Sequence, residues 1–424
     1  MKFVLALLSL IIAATTFAQT EKTYLLKVEK LYDSESNSFL RNQEILVKGK
    51  KIEKVGTNLQ AEGAEVVNLK SCTVTPGLID AHTHVLTIQK MDDPLEADLF
   101  SHSDMERSLR AVGILRSYLD AGVTTVRDLG NSGMFLDLNL KRALQKGWVV
   151  GPRMVISGPI MSPEDGQFFN LPSHNRHVIE DEYRVIKNVE DARQAVKDHI
   201  SKGADVIKVV MGDGRITLPL EEVQMIVKTA HSFGIKVTAH ATYDAVIDRA
   251  LEAGVDGIEH GYGVSDSLLD KMAKKKVYLV PTISPNETFQ SLLTDNKAEW
   301  SEQQRKGLTD FIKRSEGIIK RAYEKGVMVV FGSDMYIYTK STTGAAAKAT
   351  VEFLYNSCGK ANDALRSATK WAAIAAGVDR QAGVIKEKMN ADIVAFDGDL
   401  EKDFVKGLRK VRFVMHDGVI YLNQ

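Results

Sequence analysis

The middle of the chain alternates short apolar runs with longer segments of helical periodicity, and this alternation limits the choice of fold more than any other feature. Each run ends at or near Gly, Asp, His, Ser or Thr, which is typical of parallel strands that turn into a following helix. The eight runs are residues 78–84, 124–129, 153–157, 206–210, 236–241, 257–260, 277–282 and 327–334. Eight parallel strands with intervening helices predict an α/β fold of the (β/α)8 TIM-barrel type.

The two ends of the chain have a different pattern from the middle. Short stretches of alternating apolar and polar residues fill positions 23–74, and the same pattern returns over 391–422 with a turn at Asp417-Gly418. Such alternation indicates antiparallel strands. We therefore predict a small β-sandwich domain built jointly from residues 19–75 and 380–424, beside a barrel that occupies residues 76–379.

The first residues and the charge balance bear on compartment and partners. An apolar and small-residue run follows Met1 and Lys2 through Ala18, which predicts a secretory signal peptide over residues 1–18. Because the run is shorter than the roughly 18–20 residues that span a bilayer, we favour a secreted or periplasmic protein, free of the membrane after signal removal, over a retained anchor. Lys+Arg and Asp+Glu both number 55, so no overall positive charge favours nucleic acid as a partner.

Reactive side chains collect at the ends of the predicted strands, where a TIM barrel carries its active site. His82 and His84 end the first run, and because alternate strand residues share a face, their imidazoles can bind one metal ion. Lys208 lies in a strand covered on both faces, so it must be paired, for instance with Asp128, or be neutralised or modified. The other strand-end candidates for metal ligands are His240, His260 and Asp334.

Together these motifs resemble the metal-dependent amidohydrolase superfamily, in the branch of imidazolonepropionase-like proteins and Xaa-Pro or Xaa-Arg dipeptidases. The resemblance rests on residues 75–84, Lys208, His240, 259–261 and Ser333-Asp334, and extends to 122–128 and 391–394. It implies a binuclear site, usually of Zn²⁺. His82, His84 and Asp334 would hold one ion and His240 and His260 the other. Lys208, carboxylated by carbon dioxide, would bridge both.

The resemblance also implies an activity. A hydroxide bridging the two ions would attack the carbonyl of a small-molecule amide, and Asp334 would act as the catalytic proton shuttle. The implied substrate is a dipeptide or an N-acyl amino acid, and the implied assembly is a homo-oligomer. Two alternatives stay open, since fold alone does not separate them: a cyclic-amide hydrolase and a non-catalytic periplasmic binding protein.

Three further residues are candidates for substrate contacts. Tyr243 follows His240 by three positions, near the place where branch members often carry a His or Tyr. His174 lies in the segment 158–181, whose Pro and Gly residues indicate a loop over the barrel mouth. Arg127, at the end of the second run, either orients the substrate or braces the barrel, and we favour bracing.

Overall fold

A computed structural model describes residues 21–168, 171–212 and 216–424. The predicted signal peptide, residues 1–18, lies outside the described residues. In the three described ranges, no helix combines the length and apolar character that a membrane crossing requires.

The described strands form three hydrogen-bonded sheets. They are β1 (Thr23–Asp33), β2 (Ser38–Lys48), β3 (Lys51–Gly56), β4 (Glu65–Asn68), β5 (Cys72–Pro76), β6 (Leu78–Thr83), β7 (Val123–Asp128), β8 (Arg153–Ile156), β9 (Ile160–Ser162), β10 (Tyr183–Val185), β11 (Val206–Val210), β12 (Lys236–Ala241), β13 (Gly257–His260), β14 (Tyr278–Val280), β15 (Ile393–Asp397), β16 (Val411–His416) and β17 (Val419–Asn423).

The helices surround the strands of the middle segment, apart from a short one near the C-terminus. They are α1 (Ala97–Ser101), α2 (Asp104–Asp120), α3 (Leu136–Gln145), α4 (His177–Glu182), α5 (Val189–Lys202), α6 (Leu220–Ser232), α7 (Asp244–Ala253), α8 (Asp266–Lys275), α9 (Asn286–Asp295), α10 (Glu302–Glu324), α11 (Thr343–Cys358), α12 (Ala361–Ser367), α13 (Lys370–Ala376) and α14 (Phe404–Leu408), with a 3₁₀ turn at Ser173–Asn175.

The first and last strands of the chain share one mixed sheet. Its order is β17-β16-β15-β5-β1-β2-β3, with β4 beside β1. One apolar cluster, separate from the main core, packs against it and includes Val74, Ile393 and Phe413, all fully buried. The two ends of the chain therefore build one additional domain. Their strands belong to a single sheet, and a division into the two packed layers of a sandwich stays a prediction.

The middle segment is a TIM-barrel-like α/β fold made of parallel strands. Strands β6-β7-β8 form one parallel sheet, and β10-β9-β11-β12-β13-β14 form another. Seven of the eight predicted runs contain these strands. The large apolar core lies between them and the surrounding helices, as buried parallel strands require.

The eighth predicted run, residues 327–334, is extended chain instead of a regular strand. Leu279 of β14 forms an isolated bridge with Val329, and on the other side Ala81 of β6 donates its N–H to the carbonyl of Phe331 at 2.9 Å. The N–H of Ser333 donates to the Asp80 carboxylate, 2.9 Å away. Because a side chain replaces a backbone carbonyl as acceptor there, the ladder is interrupted while the segment still lies between β14 and β6.

Local sequence signals position the strands that carry the candidate ligands. Helix α7 ends at Gly254, whose φ of 90° is the left-handed conformation that the sequence predicts for this stop. The chain then enters β13, which pairs in parallel with β12 so that His260 lies opposite Ala241 and Glu259 opposite His240. This β12–α7–β13 unit brings His240 and His260 to the same edge of the sheet.

Candidate metal centre

All six predicted metal ligands line one cavity at the carboxyl ends of the barrel strands. They come from β6 and the residue after it, from β11, β12 and β13, and from the extended segment 327–334. The ligand set is His82, His84, Lys208, His240, His260 and Asp334. Residues separated by more than 250 positions in the sequence thus meet in one place.

Nitrogen and oxygen atoms converge in the centre of this cavity. The Nε2 atoms of His82 and His84 are 3.2 Å apart. Asp334 Oδ1 lies 3.0 Å from His84 Nε2 and 3.7 Å from His82 Nε2, and Asp334 Oδ2 lies 3.7 Å from His260 Nδ1. The imidazole rings of His240 and His260 have centroids 4.3 Å apart.

The donor set fits a divalent cation. Burial, together with the nearby Lys208 ammonium, lowers the pKa of His82 to about 4. Burial and the adjacent His240 imidazole lower the pKa of His260 well below its ordinary value. Both rings are therefore neutral and offer lone pairs. Asp334 Oδ1 is buried without a hydrogen bond of good geometry among the described residues. Atoms bound at about 2.0–2.1 Å to one tetrahedral Zn²⁺ lie roughly 3.3 Å apart, close to the separations seen here.

His84 is oriented by the backbone and by the carboxylate beside it. Its Nδ1 donates to the carbonyl of Gly130 at 2.8 Å, which leaves the Nε2 lone pair directed at the cavity. Burial alone would lower the pKa of His84, but the Asp334 carboxylate outweighs this effect and raises it.

Lys208 is buried in β11, with 3% of its surface exposed, as its position in a parallel strand predicts. Its charge contributes to the lowered pKa values of both His82 and Glu259, so the side chain faces the same cluster. The alternative partner, Asp128, accepts hydrogen bonds from Val85 N at 2.8 Å and Ser132 Oγ at 2.7 Å. The Asp128 carboxylate therefore fixes the loops that follow β6 and β7.

Glu259, for which the sequence predicts no individual role, contacts the candidate site directly. It is fully buried, and its Oε2 accepts a 2.7 Å hydrogen bond from His82 Nδ1. Its Oε1 accepts from Thr238 Oγ1 and from Arg127 Nη2, the latter at 2.7 Å. Burial alone would raise the pKa of Glu259, but the Arg127 guanidinium and His82 lower it to about 2. The resulting carboxylate holds His82 in the tautomer whose Nε2 is free to bind a metal.

Arg127 does not line the cavity, and its contacts favour bracing over the predicted substrate contact. Its side chain is fully buried and donates to Glu259, to Tyr278 Oη at 2.8 Å and to the carbonyl of Ala81 at 2.6 Å. Arg127 thus braces β6, β13 and β14 from beneath the cavity, the alternative that the sequence favoured.

Three of the non-glycine residues with left-handed backbone conformations lie at or near these strand ends. His260, Thr282 and Asp334 have φ values of 73°, 55° and 53°, in the left-handed region that residues other than glycine rarely adopt. Thr282, which the sequence analysis did not single out, lies with its Oγ1 2.8 Å from His260 Nδ1. The strained turns direct ligand side chains inward, and hydrogen bonds of this kind hold them there.

The other two predicted substrate residues do not line the cavity described above. Tyr243 is 43% exposed at the start of α7, and His174 is exposed in the 3₁₀ turn. The predicted mouth loop nevertheless contributes to the cavity through Ile160 and Gln167. Ile160 is the first residue of a three-residue strand, and Gln167 is a single polar residue. Neither belongs to a sequence pattern that marks a site, so the sequence does not predict their contribution.

Comparison with known proteins finds related sequences and solved structures of similar fold. Ochratoxinase from Aspergillus niger is 25% identical over 412 residues, covering 89% of this chain and 82% of the fungal protein. A prolidase solved in complex with N-methylphosphonate-L-proline aligns with a TM-score of 0.82 at 26% identity, over 95% of this chain and 100% of the prolidase. A Xaa-Pro dipeptidase with methionine bound in its active site shares the fold, with a TM-score of 0.80 at 24% identity over 95% and 100% of the two chains. The sequence model of the amidohydrolase family matches residues 73–421, and this protein therefore belongs to the amidohydrolase family.

Proposed function

We propose that this protein is an exported amidohydrolase with two divalent metal ions, in the first instance Zn²⁺, that cleaves the amide bond of a dipeptide or an N-acyl amino acid. Family membership makes the chain a hydrolase of carbon–nitrogen bonds. The observation that carries the finer proposal is the convergence of six metal-binding side chains from separate strand ends around one cavity. The likeness to a prolidase that binds a proline phosphonate supports the substrate class.

The ligands divide into two sets in this proposal. His82, His84 and Asp334 would hold one ion, and His240 and His260 would hold the other. Lys208, if carboxylated by carbon dioxide, would supply an anionic ligand to both ions in place of a buried cation. Bound divalent ions would lower the pKa of a coordinated water and polarise a carbonyl oxygen.

The chain's own residues then handle protons and orientation. Asp334 accepts a proton from the attacking water and returns it to the leaving nitrogen. Glu259 fixes the tautomer of His82, and Gly130 fixes that of His84. Arg127 keeps Glu259 charged, so the ligand geometry is set before substrate binds.

The proposal includes a closed barrel over residues 76–379, with the extended segment 327–334 in the position of the eighth strand. Residues 19–75 and 380–424 form the second domain. We also propose a homo-oligomer, supported by the family resemblance.

The test begins with the purified chain lacking residues 1–18. Elemental analysis should give about two zinc or similar ions per chain, and a panel of dipeptides and N-acyl amino acids should contain a substrate whose hydrolysis stops on chelation and resumes with metal. Asp334→Asn should abolish turnover, and full activity with both metals bound would refute the proton-shuttle role. Opening of cyclic amides alone would favour the cyclic-amide alternative, and ligand retention without turnover would favour the binding protein. Cell fractionation tests export.

A further inference from the structure

Half of the cavity wall comes from residues that are not metal ligands. They are Thr87, Leu95, Asn131, Ile160, Gln167 and Tyr336. Leu95 and Ile160 are apolar, whereas the other four carry neutral polar groups. Any substrate that reaches the candidate metal centre must contact this wall, so its hydrogen-bonding capacity bears on substrate choice.

Tyr336 presents an unused hydroxyl in this wall. Its ring packs edge-on against His84, with centroids 5.6 Å apart. The backbone on both sides is tied to Gln89, whose N–H donates to the carbonyl of Tyr336 at 2.9 Å and whose carbonyl accepts from Tyr338 at 2.8 Å. Among the described residues, no group forms a hydrogen bond with the Tyr336 hydroxyl. A tyrosine hydroxyl is protonated at neutral pH, so it is available as a donor.

Gln167 presents an amide that a chain of hydrogen bonds orients. Asn131 Nδ2 donates to Tyr183 Oη at 3.1 Å, and Tyr183 Oη donates to Gln167 Oε1 at 3.4 Å. Tyr183, the middle residue of this series, is 2% exposed and packs against Phe168, which fixes the position of its ring. Because Oε1 is engaged as an acceptor, the Nε2 group is the free end of the amide, and no described residue accepts a hydrogen bond from it.

We infer that Tyr336 and Gln167 are specificity-determining residues that donate hydrogen bonds to a carboxylate or carbonyl oxygen of the substrate other than the scissile carbonyl. Leu95 and Ile160 contact the apolar part of the same molecule. The substrate class is therefore an amide with a second oxygen acceptor next to a medium-sized apolar group. This inference rests on the proposed function, since it assumes that an amide enters the cavity.

The first test uses three matched probes: N-acetyl-L-leucine, N-acetyl-L-leucinamide and N-acetylisopentylamine, which lacks the second acceptor. Binding to the metal-loaded protein is measured by calorimetry, and hydrolysis is measured where it occurs. Tyr336→Phe and Gln167→Met should each weaken binding of the leucine probe, or raise its KM, about 10-fold or more, and change the isopentylamine probe less than threefold. A larger loss of affinity for N-acetyl-L-leucine than for N-acetyl-L-leucinamide would identify a carboxylate as the acceptor. Equal losses of affinity for these two probes would identify a carbonyl oxygen.

The second test addresses Tyr183 as a positioning residue. Tyr183→Phe should raise the KM for the leucine probe and leave kcat unchanged. Combined with Gln167→Met, it should cause no further increase in KM. Tyr338→Phe is the control, because Tyr338 lies two residues beyond Tyr336 and does not line the cavity. It should leave the binding and hydrolysis of all three probes unchanged.

The results separate the two claims. The wild-type protein could fail to hydrolyse any amide while the two variants still lose binding of the leucine probe selectively. That result would refute the proposed function and support Tyr336 and Gln167 as hydrogen-bond donors. Equal losses on all three probes, or none on the leucine probe, would overturn the donor pair whatever the activity.

Discussion

Replacing Glu259 with Gln tests whether the metal centre depends on the carboxylate beneath it. In the wild-type protein both carboxylate oxygens accept hydrogen bonds, Oε2 from His82 and Oε1 from Arg127 and Thr238. A Gln side chain must turn its NH₂ group toward one of these donors. If the NH₂ group faces His82, the ring must take the tautomer with a proton on Nε2. If the NH₂ group faces Arg127, it lies against a buried guanidinium, which is also a donor.

The structure sets the size of the effect. Loss of a ligand's orienting partner typically lowers metal affinity 10- to 100-fold. Removing one partner of a buried ion pair costs about 3–5 kcal/mol. Independently, the lowering of the Glu259 pKa from 4.5 to about 2 corresponds to about 3 kcal/mol. We therefore expect the metal-free variant to lose about 3 kcal/mol in its free energy of unfolding.

The pH dependence gives a second check with a defined sign. Because the folded-state pKa of Glu259 lies below its ordinary value, its stabilising contribution is complete above about pH 4.5 and is lost as the pH falls through about 2. Glu259→Gln lacks this contribution at every pH. The difference in stability between wild type and variant should therefore shrink as the pH is lowered from 4.5 toward 2.

The assays are urea unfolding of the metal-free proteins and competition of a zinc chelator against the loaded proteins. Glu252→Gln, which alters an exposed carboxylate on α7, is the matched control and should leave both quantities unchanged. A Glu259→Gln protein with wild-type zinc affinity and an unfolding free energy within 0.5 kcal/mol of wild type, a margin about equal to typical surface substitutions, would refute the reasoning.

Three other changes have defined outcomes. Lys348→Met should raise the unfolding free energy by about 2–3 kcal/mol at pH 7 and by less at pH 10. Burial lowers the pKa of the Lys348 amine from 10.5 to about 8, so burying its charged form costs free energy until the pH exceeds both values. Urea unfolding at both pH values measures this difference, and an unchanged unfolding midpoint would contradict it. Gly332→Ala should lower zinc affinity about 10-fold or more in a chelator competition, since the new methyl group would lie 2.3 Å from Val280 Cγ1 and 2.8 Å from His82 Cβ and would shift the histidine; wild-type affinity would show that the surrounding residues adjust without cost. Lys208→Ala should lose activity and regain part of it with added acetate, which stands in for the carbamate; loss without rescue, in a folded protein, would count against a bridging carboxylate.

The sequence predicts residues whose role follows from strand geometry alone. His82 and His84 share a face because strands have a period of two, and Lys208 is buried because parallel strands are covered on both sides. Glu259 is different, because its role depends on Arg127, 132 positions away, and that pairing exists only in the folded chain. For the same reason the sequence leaves two roles open for Arg127, although it favours bracing.

The extended segment 327–334 shows a second limit. Its apolar pattern predicts a regular strand, but the Asp80 side chain occupies the acceptor position beside Ser333, and no local pattern reveals such a competitor. Strands β9 and β10 have three residues each, too few for a periodicity to be recognised. Gln167 follows β9 along the chain, so the sequence did not predict this part of the cavity wall either.

The pairing of β5 with β15 has a consequence for how the protein is made. Pro76 is in register with Ile393, and Gly77 donates its N–H to the carbonyl of Asp392 at 2.9 Å, immediately before the strand that carries His82 and leads to His84. Contacts between positions more than 300 residues apart form late, since the ribosome must first release the C-terminal strands. A nascent or truncated chain would thus lack the anchor of the segment that contains His82 and His84, and the candidate metal centre would be complete only after synthesis ends.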